Sequence, residues 1–486
     1  MSAEILVNVS QGETRIAQLE NGVLQEVHVQ RDSAGSLIGN LYLARVQRVL
    51  PGMQAAFLEA GLQRTAFLHA NDIVRADEPD AQRQKGIQHR LAAGQTLLVQ
   101  VIKDPMGSKG ARLTTDISIP SRYLVLMPNN HGVALSARIE DAAERTRLEA
   151  CVSGLRAELG LTPGVIVRTA ADGASQAALA RDLAYLQRLW ARIAERARRA
   201  EPGSLVHGDL PLVTRMLRDV LPPDLERVRI DDEAACAQMQ AFARDFVPDL
   251  LPRLERYEGE SPIFDLYGVE DQIEKALTPE VALRSGGTIV IQQTEAMITV
   301  DVNTGGFVGT HDPDETILKT NIEAAGAIAR QLRLRNLGGI IIIDFIDMPD
   351  PAHRDQVLTA LQTALDRDPA KSMVCGISQL SLVEMTRKRT RESIEHLLCE
   401  TCSNCSGRGY VKTAETVCHG IFRELQRSAR HGHAGEMLVL AHPDIIALML
   451  DDLAESVATL SEALGHPVRL QAESLYQQEH FDVVLM

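Results

Sequence analysis

The stretch that most narrows the fold runs from Met297 to Ile346: two β-branched segments, "MITVDVN" and "IIIIDFI", separated by a helical stretch from about Pro313 to Arg335 that stops before Gly338-Gly339. Within that stretch Ile317, Leu318, Ile322, Ala325, Ile328, Ala329 and Leu332 recur at three- and four-residue spacing, which puts them on one side of a helix. Strand, helix and strand in that order require a parallel pair joined by a right-handed crossover. Parallel neighbours end at the same sheet edge, and ligands of open α/β sheets bind outside that edge. Asp301 closes the first strand and Asp344 the second, so the crossover predicts that their carboxylates converge. Asn303, two residues past Asp301, shares its face because side chains alternate along a strand.

Two carboxylates crowded at one edge repel unless a proton or a cation lies between them. Magnesium suits such a pair: it takes one or two protein carboxylates, keeps waters, and completes its shell with phosphate oxygens. A metal so held polarises a phosphodiester and supplies an activated water. Strand-end aspartates also cap helices, and Asp347, before "MPDP", is expected in a supporting or capping role. The pair, with Gly305 and Gly306 opening the neighbouring loop, is the stronger signal.

At 486 residues the chain is too long for one core and should hold three or more domains. No apolar run approaches the ~18 residues that span a bilayer, and "MSAEILVNVS" lacks a signal pattern, so a cytoplasmic location is expected. Fifty Lys and Arg against sixty-five Asp and Glu leave a net charge of −15, which does not favour a general polyanion binder. Any nucleic-acid contact must be local.

The rest of the chain reads as a succession of small α/β pieces. "EILVNVS", "TRIAQLE" and "VLQEVHVQ" form an opening meander. From Gly39 to Ser118, five short strands predict a small closed barrel of the oligonucleotide-binding type, with a charged surface loop over Arg75 to Ala93. Residues 119–214 hold strands "RYLVLMP" and "GVIVRTA" and a Ser175-capped helix carrying Leu179, Leu183, Leu186, Trp190 and Ile193. Residues 215–278 read as mostly helical, with a strand or two. Past "IIIIDFI" come a helix, "SMVCGIS" and a final helix. A last α/β piece, 414–486, has strands "MLVLAH" and "PVRLQA".

Three further groups carry chemistry. Phe57 and Phe67 lie in consecutive barrel strands with Lys109 in the loop "GSKG"; such aromatics either fill the core or stack on bases while the lysine holds phosphate. "TRKRTRES" is expected to present Arg387, Lys388, Arg389 and Arg391 on one helix, either as a solvated face or as a grip on a phosphate backbone. Arg168-Thr169 offers a guanidinium fork and a hydroxyl for a terminal phosphate. Of the seven cysteines, Cys402-Ser-Asn-Cys405, followed by Gly407 and Gly409, has the knuckle spacing of a zinc site. Either Cys399 and a histidine such as His396 or His419 complete it, or a second chain does, which predicts a homodimer.

The stretches "AAFLEAGLQRTAFLH", "SRYLVLMPNN", "GVIVRTA", "DVNTGG", "ARQLRLRNLGGIIIIDFIDM" and "EMTRKRTRESIEHLL" resemble, in that order and over nearly the whole chain, the ribonuclease E/G family. The resemblance implies a single-strand-specific endoribonuclease of ribosomal RNA maturation and mRNA decay that cuts with magnesium to leave 5′-phosphate and 3′-hydroxyl ends. It assigns the metal to Asp301 and Asp344, support to Asn303, and RNA clamping to Phe57, Phe67 and Lys109. It places a 5′-monophosphate pocket at Arg168 and Thr169, lined by Val125. Cys402 and Cys405 become half of a zinc site shared between two chains, with Cys399 outside it.

In fold, the resemblance implies a multi-domain α/β chain: a ribonuclease-H-like domain (1–36 and 215–278) interrupted by an S1-like barrel (37–118) and a 5′-sensor (119–214). A deoxyribonuclease-I-like catalytic domain (279–398), a zinc-link (399–413) and a small C-terminal domain (414–486) follow. Two positions depart from the pattern: Ser121 stands where the ribonuclease E branch has glycine, and Lys371 where it has an arginine, giving charge without the fork. The competing readings are an RNA-binding or assembly module with structural aspartates, and a phosphodiesterase directed at DNA.

Overall fold

The structure, a computed structural model, describes residues 2–486 apart from 32–35, 75–85, 106–108, Val220, Pro223, 306–312, Thr390 and 431–434. Its contacts divide into two units, residues 1–394 and 395–486.

The first unit opens with β1 (Ala3–Ser10), β2 (Glu13–Glu20) and β3 (Val23–Arg31), an antiparallel meander. Then β4 (Leu41–Leu50), β5 (Ala55–Glu59), β6 (Ala66–His69), β7 (Thr96–Lys103) and β8 (Arg112–Thr114) run in the order β4-β5-β6-β8-β7. Because β7 also pairs with β4, the sheet closes into the five-stranded barrel that the strand pattern predicts. Inward residues alternate: Ala44, Val46, Ala56, Leu58, Ala66, Leu68, Val99, Val101 and Leu113 fill the interior. The charged insertion is not all surface loop. From Gly86 onward it packs into the barrel with Ile87 and Leu91 buried, and buried Arg90 donates to the carbonyls of Ala70 (2.9 Å) and Ile73 (2.8 Å). A guanidinium whose donors are satisfied can be buried, so charge alone did not place the segment outside.

Next, β9 (Ile119–Pro120), β10 (Leu124–Met127), β11 (Val133–Leu135) and β12 (Gly164–Val167) form a sheet ordered β11-β12-β10-β9, packed with α1 (Ala142–Glu158) and α2 (Gln176–Arg199). Ser175 Oγ caps α2 by accepting from the Ala178 amide. α1 carries only Leu148, Val152 and Leu155 as buried residues, too thin a stripe to announce a helix in the sequence. Strand β13 (Ser204–His207), which follows α2, pairs with β4 of the barrel. After α3 (Leu212–Asp219), β14 (Leu225–Ile230), α4 (Glu233–Phe246) and β15 (Leu254–Arg256), the chain has returned to its beginning. β14 pairs parallel with β1, giving one five-stranded sheet ordered β15-β14-β1-β2-β3 from two distant stretches.

The last sheet of this unit holds β16 (Glu280–Ala282), β17 (Thr288–Gln293), β18 (Met297–Asn303), β19 (Gly339–Asp344), β20 (Ser372–Ile377) and β21 (Val383–Arg387), ordered β16-β17-β18-β19-β21-β20. Two helices, α5 (Pro313–Leu334) and α6 (Pro351–Leu365), cover one face, where Ile289, Ile298, Val300, Ile341 and Ile343 meet Ile328, Leu332, Val357 and Leu361. β18 and β19 are parallel across α5, as the crossover requires; every other pair in the sheet is antiparallel. The inner side of α5 departs from the apolar pattern: Ile322 is exposed, and the polar Thr320 and Asn321 are fully buried in its place.

"TRKRTRES" is not a helix. Its first residues end β21, and a short helix begins only at Ile394. Alternation along β21 buries Arg387, which forks onto buried Asp368 (2.6 and 3.1 Å) and donates to the Leu337 carbonyl (2.7 Å). Arg389 donates to the Gly338 carbonyl and Arg391 pairs with Glu26. The basic run is therefore spent largely on internal partners; exposed Lys388 stays outside them.

In the second unit α7 (Ala414–Arg430), β22 (Met437–Ala441), α8 (Pro443–Leu450), α9 (Ala454–Leu464), β23 (Val468–Ala472) and β24 (Phe481–Leu485) form a small α/β fold whose sheet is ordered β23-β22-β24. Val417, Cys418, Ile421 and Leu425 of α7 pack on Val439 and Ile445. Among the described residues no helix is long and apolar enough to cross a membrane.

Candidate active site

The register of β18 and β19 sets Asp301 directly against Asp344 at the strands' C-terminal edge, on the face that α5 and α6 leave open. Both carboxylates are exposed. Partial burial, then the negative charges of Asp301 and Asp347, push the Asp344 carboxyl above the usual carboxylate range. Asn303 donates from Nδ2 to Asp301 Oδ2 at 2.8 Å, which holds that carboxylate in place.

The loops around the pair are gripped from α5. Asn321 donates to the Ile346 carbonyl (2.8 Å) and accepts the Ile346 amide (3.1 Å), anchoring the chain two residues past Asp344. Glu323 accepts the amides of Arg284 (2.6 Å) and Ser285 (3.0 Å). The turn beyond them, Gly286, presses on Gly305: with φ +58° and its virtual Cβ 2.3 Å from the Gly286 carbonyl, Gly305 admits no side chain. Gly306 lies outside the described residues. Asn321 and Glu323 escaped sequence reasoning because a polar residue inside a helical period carries no local sign of what it will hold.

Asp347 is exposed, and the helix cap belongs to Asp350, whose Oδ1 accepts the Ala352 amide at 2.8 Å. The capping role is thus corrected to Asp350, and Asp347 is left as a third negative charge acting on Asp344. The opposed, oxygen-only donor pair fits a hard divalent cation, and the crowding of like charge gives that cation a reason to bind.

Phe57 and Phe67 pair directly in register, with centroids 6.2 Å apart and rings at 65°. Both are half-buried on the outer face, while their neighbours Ala56, Leu58, Ala66 and Leu68 supply the core. The same register continues across the barrel as one row: Arg48, Phe57, Phe67, Arg112, Lys103. Arg48 and Lys103 are exposed, and Arg112 pairs with Asp72. This cationic and aromatic row was legible only once strand pairing was known. Exposed Lys109 precedes Gly110, where a Cβ would lie 1.9 Å from the Thr65 carbonyl, so the backbone just after the lysine is pressed onto the barrel.

Arg168 follows β12, and its amide bonds the Tyr123 carbonyl. Strand alternation puts Val125 and Ile166, paired in register, on the face opposite the buried Leu124 and Val167. Arg168 donates to the Ser121 carbonyl (2.6 Å) and pairs with Asp219 of α3 (2.8 Å). Thr169 is exposed at the start of the following turn. The Ser121 hydroxyl turns away, donating to Asp182 (2.5 Å), whose other oxygen accepts the Tyr123 and Leu124 amides. Burial pushes the Asp182 carboxyl up. Lys371 is exposed just before β20; no bond joins it to Arg168 or Thr169 among the described residues.

In the second unit, backbone amides of Gly409, then Gly407, pull the Cys405 thiol below its usual range, with Cys402 contributing as well. Left-handed φ values at Ser406 (49°), Gly407 (82°) and Gly409 (79°) create this amide-lined knuckle. Among the described residues no three His, Cys, Asp or Glu side chains gather as a metal-holding group, so neither His396 nor His419 joins Cys402 and Cys405 in one.

A strand-end carboxylate pair and an oligonucleotide-binding type of barrel in one chain are parts that a nucleic-acid phosphodiesterase would need. The chain belongs to the ribonuclease E/G family, whose profile matches residues 118–390, and a profile described as "RNase E/G, Thioredoxin-like domain" matches 401–485. It is 50% identical to Ribonuclease G of Escherichia coli (strain K12) and 48% identical to Ribonuclease G of Haemophilus influenzae, each over the full length of both chains. Ribonuclease E of Haemophilus influenzae is 34% identical over 99% of this chain and 51% of its own. The protein is an endoribonuclease acting in RNA processing.

Proposed function

We propose that the protein cuts single-stranded RNA by magnesium-dependent hydrolysis, leaving 5′-phosphate and 3′-hydroxyl ends, in ribosomal RNA maturation and mRNA decay. The observation that carries this is the direct opposition of Asp301 and Asp344 at an open strand edge. Together they would hold the cation, which when bound supplies Lewis-acid polarisation of the phosphodiester and an activated water. Asn303 keeps Asp301 oriented, and Asn321 keeps Asp344 from drifting with its loop. Water adds to phosphorus in line with the departing 3′ oxygen, which leaves with a proton as the P–O3′ bond breaks.

The remaining surfaces fit the same reading. The barrel is S1-like, with Phe57 and Phe67 stacking on bases and Lys109, Arg48 and Lys103 on phosphate. The sheet of β1–β3, β14 and β15 reads as ribonuclease-H-like, the mixed sheet as deoxyribonuclease-I-like, and the Arg168–Thr169 edge as a pocket for a 5′-monophosphate. The lowered Cys405 thiol favours a thiolate, and Cys402 with Cys405 would supply half of a zinc site completed by a second copy.

The test is a 5′-labelled single strand incubated with and without magnesium, alongside the same sequence as DNA. Asp301→Asn and Asp344→Asn should each lower kcat by at least ~10³-fold while leaving RNA affinity nearly intact, since the pair acts on the reacting phosphate. Magnesium-supported cleavage at the parent rate by either variant refutes the assignment.

A further inference from the structure

Arg168 is already occupied. Its Nη2 meets Asp219 Oδ1 at 2.8 Å and its Nη1 donates to the Ser121 carbonyl at 2.6 Å. A phosphate prefers a guanidinium's two-pronged edge, so an arriving 5′-end meets a fork partly filled by a carboxylate. The pair is within reach of a ligand, with the Arg168 and Asp219 side chains 25% and 27% exposed.

Asp219 is held from behind. Its Oδ2 accepts from Arg218 Nη2 (2.8 Å) and Nε (3.1 Å). Arg218 is buried and turns its other edge onto Asp209 (2.8 and 3.2 Å). If Asp219 releases Arg168, it still keeps two charge-assisted bonds, and no charge is stranded. A third guanidinium, Arg122, bonds the Arg218 carbonyl, and its buried Nε has no partner among the described residues. Around the pocket Arg122, Arg168, Arg215 and Arg218 face Asp182, Asp209 and Asp219. A terminal phosphate therefore enters a cluster whose cations are largely offset by carboxylates and meets one carboxylate directly beside its ligand.

We propose that Asp219 is a specificity-determining residue of the end-phosphate pocket, acting as an internal competitor that sets how strongly a 5′-monophosphate is preferred. The inference rests on the reading of Arg168 as that pocket's ligand. A phosphate takes the Arg168 edge and Asp219 withdraws onto Arg218; no covalent bond changes. Asp219 thereby tempers a preference that Arg168 alone would make stronger. A merely orienting carboxylate would have the opposite effect, because its loss would let Arg168 wander and weaken the preference.

The experiment compares one oligoribonucleotide bearing either a 5′-monophosphate or a 5′-hydroxyl, with KM and kcat measured for the parent, Asp219→Asn, Asp219→Ala and Arg168→Ala. The readout is the ratio of the hydroxyl KM to the monophosphate KM within each protein, which cancels general losses. Asp219→Asn should raise the ratio by about 3- to 10-fold, in KM and not in kcat. Asp219→Ala, or the ratio measured at reduced temperature, serves if the Asn variant folds poorly. A parent ratio above one that Arg168→Ala abolishes and the Asp219 variants leave unchanged or lower overturns the inference while the pocket stands. A ratio of one in all four proteins overturns both. A parent ratio of one that rises in the Asp219 variants supports the inference in its strongest form, a pocket silenced by its own carboxylate.

Discussion

Asp301, Asp344 and Asn303 were legible before any fold was known because strand parity and the order strand, helix, strand are local facts, and together they dictate a shared edge. Asn321 was not. Its burial and both of its bonds to Ile346 depend on how α5 lies against the end of β19. Replacing it with leucine leaves an amide and a carbonyl without their partners at a cost of about 1–3 kcal/mol. Because the loop it holds follows directly on Asp344, Asn321→Leu should lower kcat more than it raises KM, with chemical denaturation giving the stability part separately. On the barrel, Arg48 and Lys103 stand at the ends of the aromatic row. In an Asp301→Asn background, which isolates binding, Arg48→Ala or Lys103→Ala should each reduce the salt-dependence slope of single-strand affinity by about 0.7. Arg112→Ala should change it less, since Asp72 already neutralises that side chain.

Elements followed the sequence wherever their patterns were long. The barrel strands, α2, α5 and the parallel pair stand where periodicity put them. The expected helix over "TRKRTRES" failed because four cations within five residues suggest a solvated surface, whereas β21 lies between β19 and β20 and its alternate residues must point inward. Arg387 is tolerated there because Asp368 and the Leu337 carbonyl satisfy it. Asp368→Ala should therefore destabilise by about 3–5 kcal/mol by stranding a buried charge. The double variant Asp368→Ala, Arg387→Met should recover most of that loss, as read from the denaturant midpoint.

At the scale of the whole molecule, the meander is tied to the catalytic sheet through charge. Arg333 of α5 pairs with Glu20 and Glu26, and Arg391 pairs with Glu26. Burial opposes the charge on Glu26, yet neighbouring His28 and the cations Arg333 and Arg391 hold its carboxyl down at about 2. Burial, then the charge of Arg391, lowers His28 to about 4. Between pH 6.5 and about 4 the unfolded chain takes up a proton at His28 that the folded chain refuses, so stability falls as pH falls across that window. From 4.5 toward about 2 the same holds for Glu26, whose folded carboxylate stays charged after the unfolded one is neutralised. Thermal unfolding followed against pH should show both phases, and His28→Gln should abolish the upper one and shrink the lower, since His28 also helps hold the Glu26 carboxyl down. The proposed zinc pairing is also a property of the whole: Cys402→Ser should yield monomers on size-exclusion chromatography, and an unchanged dimer would refute it.

By itself, the sequence determined the closed barrel, the parallel pair with its two aspartates, the knuckle spacing of Cys402 and Cys405, and the family, because each is written in residues close together or in spacing that a single element imposes. Tertiary structure decided the joining of β14 to β1, the row from Arg48 to Lys103, the grip of Asn321 on Ile346 and the occupation of Arg168 by Asp219. These depend on contacts between segments far apart in the chain, where geometry is set by how whole layers pack and no local pattern records the partner.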